Sequence, residues 1–199
     1  PLDYQMVVSA SVGGGKSDAA ITDEVSREIV VRESGSVEAH LTLKRSHGGV
    51  RGDPFTWARN SAYLRFYFPR GSTLLAADGF RPPPVERFEQ PPRDLHDDPF
   101  LHMIEGTPTI DPRTGMVVTQ EFEKTVFGHW LVLDPLEDAV VTLSVLLPFT
   151  RADLQKAGYS LLAQRQSGSR IRSMTVTLGE RSETVDPFYT DAFFDYPIQ

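Results

Sequence analysis

At 199 residues and 40% hydrophobic content the chain can bury a proper core, and a single domain spanning 1–199 is the expected organisation. A formal charge of −7 and a pI near 5.2 argue against a nucleic-acid partner, which wants clustered Lys and Arg on one face. The absence of cysteine removes disulfides, thiolate catalysis and Cys-zinc sites together, and no apolar run approaches the ~20 residues needed to cross a bilayer.

The first residue is Pro1, and the chain reads as an excised piece of a longer polypeptide. Residues 4–12 form an apolar, strand-like run that breaks at Gly13, Gly14 and Gly15. Lys16 and Ser17 follow, which invites comparison with a phosphate-binding loop. The match fails because Ala10 stands where that motif needs its first glycine, so a plain loop is expected. Runs 21–33 and 37–45, separated by Ser34, Gly35 and Ser36, read as an antiparallel hairpin with His40 on the wet face. The loop 46–60 contains the tripeptide Arg51-Gly52-Asp53, which integrins recognise on exposed turns and which chance also produces often. Phe55 and Trp57 in the same loop can offer a ligand surface, but plugging the end of a sandwich is the preferred role for such large aromatics.

The clearest strand pattern lies at 62–68. Ala62, Leu64, Phe66 and Phe68 alternate with Tyr63, Arg65 and Tyr67, which is the period of a half-buried strand. Pro69, Arg70 and Gly71 bend the chain before an extended run resumes at 72–77. The segment 81–115 is compositionally distinct, since 81–112 alone holds eight of the fifteen prolines. Prolines this dense predict a long irregular excursion lying over the sandwich. It carries His96, Asp97, Asp98 and His102, with Glu105 and Asp111 nearby, as candidate metal ligands. Their spacing matches no metal motif, Pro99 argues against projecting His96 and His102 from one helix, and solvated loop charge is the favoured reading.

Residues 116–126 read as one alternating strand that places Glu121 and Glu123 on a common face. Retaining glycosidases hold two carboxyl groups roughly 5 Å apart, a spacing that neighbouring same-face strand positions approach, although simple exposure produces the same pattern. Phe127 to Trp130 lead into another strand, and Asp134-Pro135 closes it. The run 139–147 predicts a central strand, and Thr150 with Asp153 and Gly158 predicts a short capped helix over 151–157. Runs 159–165 and 171–178 are expected to pair as a hairpin around Ser167-Gly168, with an aromatic tail at 188–196 that either folds back or meets another domain.

These runs predict an all-β fold: a two-sheet antiparallel β-sandwich, Ig-like or Greek-key, of roughly nine to eleven strands, with a long Pro-rich loop insertion and at most one short helix. Three phrases, 13–18 (GGGKSD), 63–80 (YLRFYFPRGSTLLAADGF) and 123–130 (EKTVFGHW), together with 159–169 (YSLLAQRQSGS), resemble the C-terminal β-rich region of the bacterial domain-of-unknown-function 4012 family. That resemblance implies an extracytoplasmic module of a cell-envelope protein anchored through a transmembrane helix outside this segment, the segment itself not touching the membrane. It supplies no catalytic residues and no cofactor, and the insertion between Phe80 and Met116 departs from its pattern. The expected role is non-catalytic: a binding or structural module whose aromatics Trp57, Trp130, Tyr63 and Tyr67 present flat faces to envelope polysaccharide. The competing readings are a glycan hydrolase using Glu121, Glu123 or the cluster His96, Asp97 and Asp98, and a spacer whose tail docks on another domain of the same polypeptide.

Overall fold

Period-two alternation sorts the long segments into inner and outer faces, and the structure, a computed structural model, stacks the inner faces of two sheets against each other. It describes residues 2–12, 16–89, 94–96 and 98–197, so the glycine run 13–15, Pro91, Pro92 and Asp97 lie outside the described residues.

The strands, in chain order, are β1 (Leu2–Ser11), β2 (Ile21–Val31), β3 (Ser36–His47), β4 (Asn60–Pro69), β5 (Thr73–Asp78), β6 (Thr109–Ile110), β7 (Val117–Glu121), β8 (Lys124–Leu133), β9 (Asp138–Thr150), β10 (Tyr159–Arg165), β11 (Ile171–Leu178), β12 (Arg181–Val185) and β13 (Ala192–Tyr196). The first sheet runs β13-β10-β1-β4-β8-β7-β6 and the second β12-β11-β2-β3-β9-β5. Leu64, Phe66 and Phe68 of β4 meet Leu41 and Leu43 of β3 and Val141, Leu143 and Val145 of β9 in one fully buried core. Each such side chain stabilises the fold by about 1.5–3 kcal/mol relative to exposure.

The all-β sandwich is therefore the observed fold, with two refinements. Each sheet contains one parallel ladder, β1 with β10 and β2 with β11. The cause is topological. The links β1→β2 and β10→β11 both cross from the first sheet to the second, side by side, so each pair of neighbours runs the same way. The hairpin expected between 159–165 and 171–178 is for that reason an arch: the buried Tyr159, Leu161 and Ala163 face Ile171, Met174 and Val176 across the core instead of lying beside them in one sheet. β11 makes its hairpin with β12, and the aromatic tail folds back as β13 on β10.

The second refinement concerns helices. The capped helix forms as α2 (Arg151–Ala157): the hydroxyl of Thr150 and the carboxylate of Asp153 make a reciprocal capping box, and Gly158 ends the helix at φ 70°. A second helix, α1 (Pro99–Glu105), sits inside the insertion. Proline did not block it because Pro99 occupies the first turn, where the missing N–H costs nothing, and the carboxylate of Asp98 accepts from Phe100 N at 2.8 Å. Neither helix, nor any other among the described residues, is long and apolar enough to cross a membrane.

The expected single strand over 116–126 is two strands. Phe122 and Glu123 both adopt positive φ, 49° and 59°, and form the tight turn of the β7–β8 hairpin.

Candidate ligand-binding groove

The outer face of the first sheet carries Ser61, Tyr63, Arg65 and Tyr67 from β4, opposite Val132, Trp130, Gly128 and Val126 from β8. This face is too apolar to stand bare, and the insertion covers it. Arg81 bridges to β8, its carbonyl accepting from Val132 N at 2.9 Å, and Pro83 and Pro84 carry the chain into a 3₁₀ turn at Val85–Arg87. Phe88 then returns edge-on to Trp130, with ring centroids 5.4 Å apart. Tyr63 approaches the same indole from its other neighbour position at 5.2 Å, also edge-on. Two edge-to-face contacts fix the orientation of Trp130, each worth about 0.5–1.5 kcal/mol beyond area.

Between this covering segment and the sheet lies a groove of about 650 Å³. Trp130, Val132, Phe88 and the two prolines make its apolar walls, and Ser11 and Ser61 are the serines on its lining that are not buried. Ser17 also borders it but is fully buried, its hydroxyl held by Arg59 O and Asn60 Nδ2. Arg59 and Asp134 close one side as a bidentate pair, Nε to Oδ1 at 2.6 Å and Nη2 to Oδ2 at 2.9 Å, both half exposed. The hydrogen bond from Arg59 holds the Asp134 carboxyl below its ordinary value, so both groups stay charged and oriented at neutral pH. Arg87, exposed on the rim, makes no ion pair among the described residues.

Gly128 sets how closely the aromatic pair can seat. A Cβ there would lie 2.4 Å from Tyr63 Oη and 2.8 Å from Cζ, inside contact distance. Gly128→Ala is expected to push the Tyr63 ring off the sheet, release Trp130, and lower stability by about 1–3 kcal/mol. Urea denaturation together with loss of the near-UV tryptophan signal measures both effects, and an unchanged near-UV spectrum would contradict this role for Gly128.

A smaller cavity of about 190 Å³ lies further along the same face, bounded by Tyr63, Arg65, Glu105, Thr119 and Glu121. Glu121 is only 2% exposed and accepts from Tyr67 Oη at 2.6 Å, Thr119 Oγ1 at 2.7 Å and Arg65 Nη1 at 3.0 Å. Burial, then the hydrogen bond to Glu121, pushes the Tyr67 hydroxyl well above its ordinary value, so it acts as a donor throughout the physiological range. Glu123 lies on the far side of the β7–β8 turn, with its side chain 78% exposed and paired with Arg70 at 2.5 Å. The common strand face expected for the two glutamates is thus absent: the tight turn at Phe122–Glu123 points them to different environments.

Of the four aromatics expected to meet a ligand, only Trp130 lines the groove; Tyr63 packs edge-on against it and lines the smaller cavity instead. Tyr67 is buried and committed to Glu121. Trp57 is half-buried in the 51–59 loop and does not line the groove, although its neighbours Ala58 and Arg59 do. Phe55 does not plug the sandwich either; it is 56% exposed beneath the ammonium of Lys16. In the insertion, His96 and His102 are exposed, Asp98 spends its carboxylate capping α1, and Asp97 lies outside the described residues. Among the described residues no three His, Asp or Glu side chains converge as metal ligands do. The carboxylate of Asp53, last residue of the Arg51-Gly52-Asp53 tripeptide, accepts from Phe55 N and Thr56 N at 2.8 and 2.9 Å and is occupied with shaping its own loop.

No family model matches the chain, and neither a curated protein nor a solved structure matches it.

Proposed function

We propose that this sandwich is a non-catalytic binding module whose groove beside Trp130 takes polysaccharide of the bacterial cell envelope. The observation that carries the reading is the groove itself. An indole held by two rings shares the lining of one groove with a planar, pre-oriented Arg59–Asp134 pair and with Ser11 and Ser61. Sugar rings offer an apolar face bordered by hydroxyls that both donate and accept, and a fixed aromatic beside a fixed ion pair complements both. An extracytoplasmic location on a membrane-anchored polypeptide is part of the same proposal and is supported by the phrases that resemble the domain-of-unknown-function 4012 family.

Calorimetric titration with soluble polysaccharide from the source envelope tests the reading. Trp130→Ala is expected to weaken binding about tenfold or more, the cost of a central aromatic anchor, while Trp57→Phe leaves it unchanged. Equal affinities for the Trp130→Ala variant and the unaltered protein, or no heat with any envelope glycan, would reject the groove as the site.

A further inference from the structure

A second, chemically different site lies at the end of the sandwich where the two crossing links run side by side. Alternation along β3 places Arg45 on the inner face, where its side chain is almost wholly buried. Asp23, opposite it on β2, engages two of the three guanidinium nitrogens, Nε at 2.8 Å and Nη2 at 2.7 Å. The third, Nη1, is buried without a hydrogen-bond partner among the described residues. A guanidinium cannot shed its proton, and a buried N–H left unpaired is costly, so a strand residue held in this state calls for an acceptor from elsewhere.

The surroundings supply room for one. Arg45 and Asp23 form part of the lining of a polar pocket of about 190 Å³, completed by Asp18, the loop 166–170 and Ser9. Its acceptors are largely consumed. Both carboxylate oxygens of Asp23 are on Arg45, and the Gln166 amide is spent on the backbone of Ser9 in both directions. Oδ1 of Asp18 accepts from Asn60 Nδ2 at 2.7 Å, which leaves the exposed Asp18 Oδ2 as the one carboxylate oxygen of the lining without a partner among the described residues. Donors are left over: Nη1 of Arg45, the hydroxyl of Ser167, and Arg170 at the exposed rim. Arg170 gives Nη1 to the carbonyl of Ala19 and makes no ion pair among the described residues. Formal charges in the lining balance, two arginines against two aspartates, so selectivity rests on unspent donors and not on a net field.

We propose that this pocket binds a small oxyanion, a carboxylate or phosphate group, seated between Nη1 of Arg45 and the Arg170 side chain. Planar guanidinium groups match such oxyanions through charge-assisted hydrogen bonds, and 190 Å³ is the space of about six waters, enough for the anionic group with part of the molecule that carries it. The site is separate from the Trp130 groove, from which the 3₁₀ turn Ser17–Ala20 divides it: Ser17 lines the groove and Asp18 this pocket.

Two-dimensional NMR of the full chain, titrated with inorganic phosphate and separately with acetate against sodium chloride at matched ionic strength, tests the assignment. Expected are saturable shifts at the amides of 167–170 and at the Arg45 Nε–H, for phosphate or acetate and not for chloride. Arg170→Glu, an exposed change with its thermal midpoint preserved, is expected to weaken the response about tenfold. Shifts that track ionic strength alike for all three salts, or saturable binding unaltered by Arg170→Glu, would overturn the proposal.

Discussion

Arg27→Ala is expected to lower stability by about 3–5 kcal/mol, a large share of the about 5–15 kcal/mol typical of a folded domain. Arg27 reaches from β2 across the core to β1, where Nη2 meets Asp3 Oδ2 at 2.6 Å and Nη1 donates to Gln5 Oε1, with both charged side chains fully buried. The guanidinium also lies over the Phe68 ring at 4.8 Å. Truncation leaves Asp3 in the interior with only Tyr159 Oη, at 2.8 Å, and the N–H of Tyr4, at 2.7 Å, as donors. Chemical denaturation would register the loss as a lower midpoint with an unchanged slope; a midpoint within error of the parent would mean the pair is not buried as described.

The same variant carries a pH signature. Burial raises the Asp3 carboxyl above its ordinary value, and attraction to Arg27 followed by the Tyr159, Tyr4 and Arg27 hydrogen bonds pulls it part of the way back. A carboxyl raised on folding binds its proton more tightly in the folded state. Its contribution is therefore fully present below the unfolded value and is lost as pH rises through the folded one. Without Arg27 the folded value moves further up and that window widens. The deficit of Arg27→Ala relative to the parent is expected to be smaller at pH 5 than at pH 7, and an equal deficit at both would show that Asp3 is not the group left exposed to the charge loss.

Part of this network was legible in one dimension. Along β2 the buried phase reads Ile21, Asp23, Val25, Arg27, Ile29, so two charges sit at core positions by alternation alone. Their partners did not follow, because Asp3 comes from the opposite sheet and Arg45 from the next strand, and period two carries no information about which strands become neighbours. The parallel ladders escaped for the same reason: each joins strands more than a hundred residues apart. The β7–β8 turn escaped for a local reason. Turns of this kind favour Asn and Gly at positive φ, and here Phe122 and Glu123 take those positions, so an ordinary alternating strand and a tight hairpin look alike. The groove was half visible. Trp130 and Tyr63 stood out as candidate flat aromatics, Tyr63 by its place in the 62–68 alternation, whereas Arg59 and Asp134 come from a loop end and a turn that only the folded chain brings into bidentate contact.

The tail offers the sharpest contrast between neighbouring residues. β13 pairs with β10 in the register Leu161↔Phe194 and Tyr159↔Tyr196, which sends Phe194 into the core and Phe193 to the surface. Tyr196 then ties the two sheets together, its hydroxyl donating to the carbonyl of Val176 at 2.9 Å, and Phe188 is buried where the chain passes β11. Phe194→Ala is accordingly expected to cost about 3–5 kcal/mol, the transfer free energy of the ring plus the cavity it leaves. At about 2–4 °C per kcal/mol for a chain of this size, the melting temperature should fall by about 10 °C. Phe193→Ala, one residue earlier and 59% exposed, should stay within about 0.5 kcal/mol of the parent. Similar losses for the two variants would mean that β13 does not hold this register. Removing everything after Asp186 would delete an edge strand and three buried aromatics at once, so such a truncation reports on folding before it reports on association. If the tail contributes to contact with another domain, it does so through the outward residues Tyr189 and Phe193, and Tyr189→Ala with Phe193→Ala is the pair that separates docking from stability.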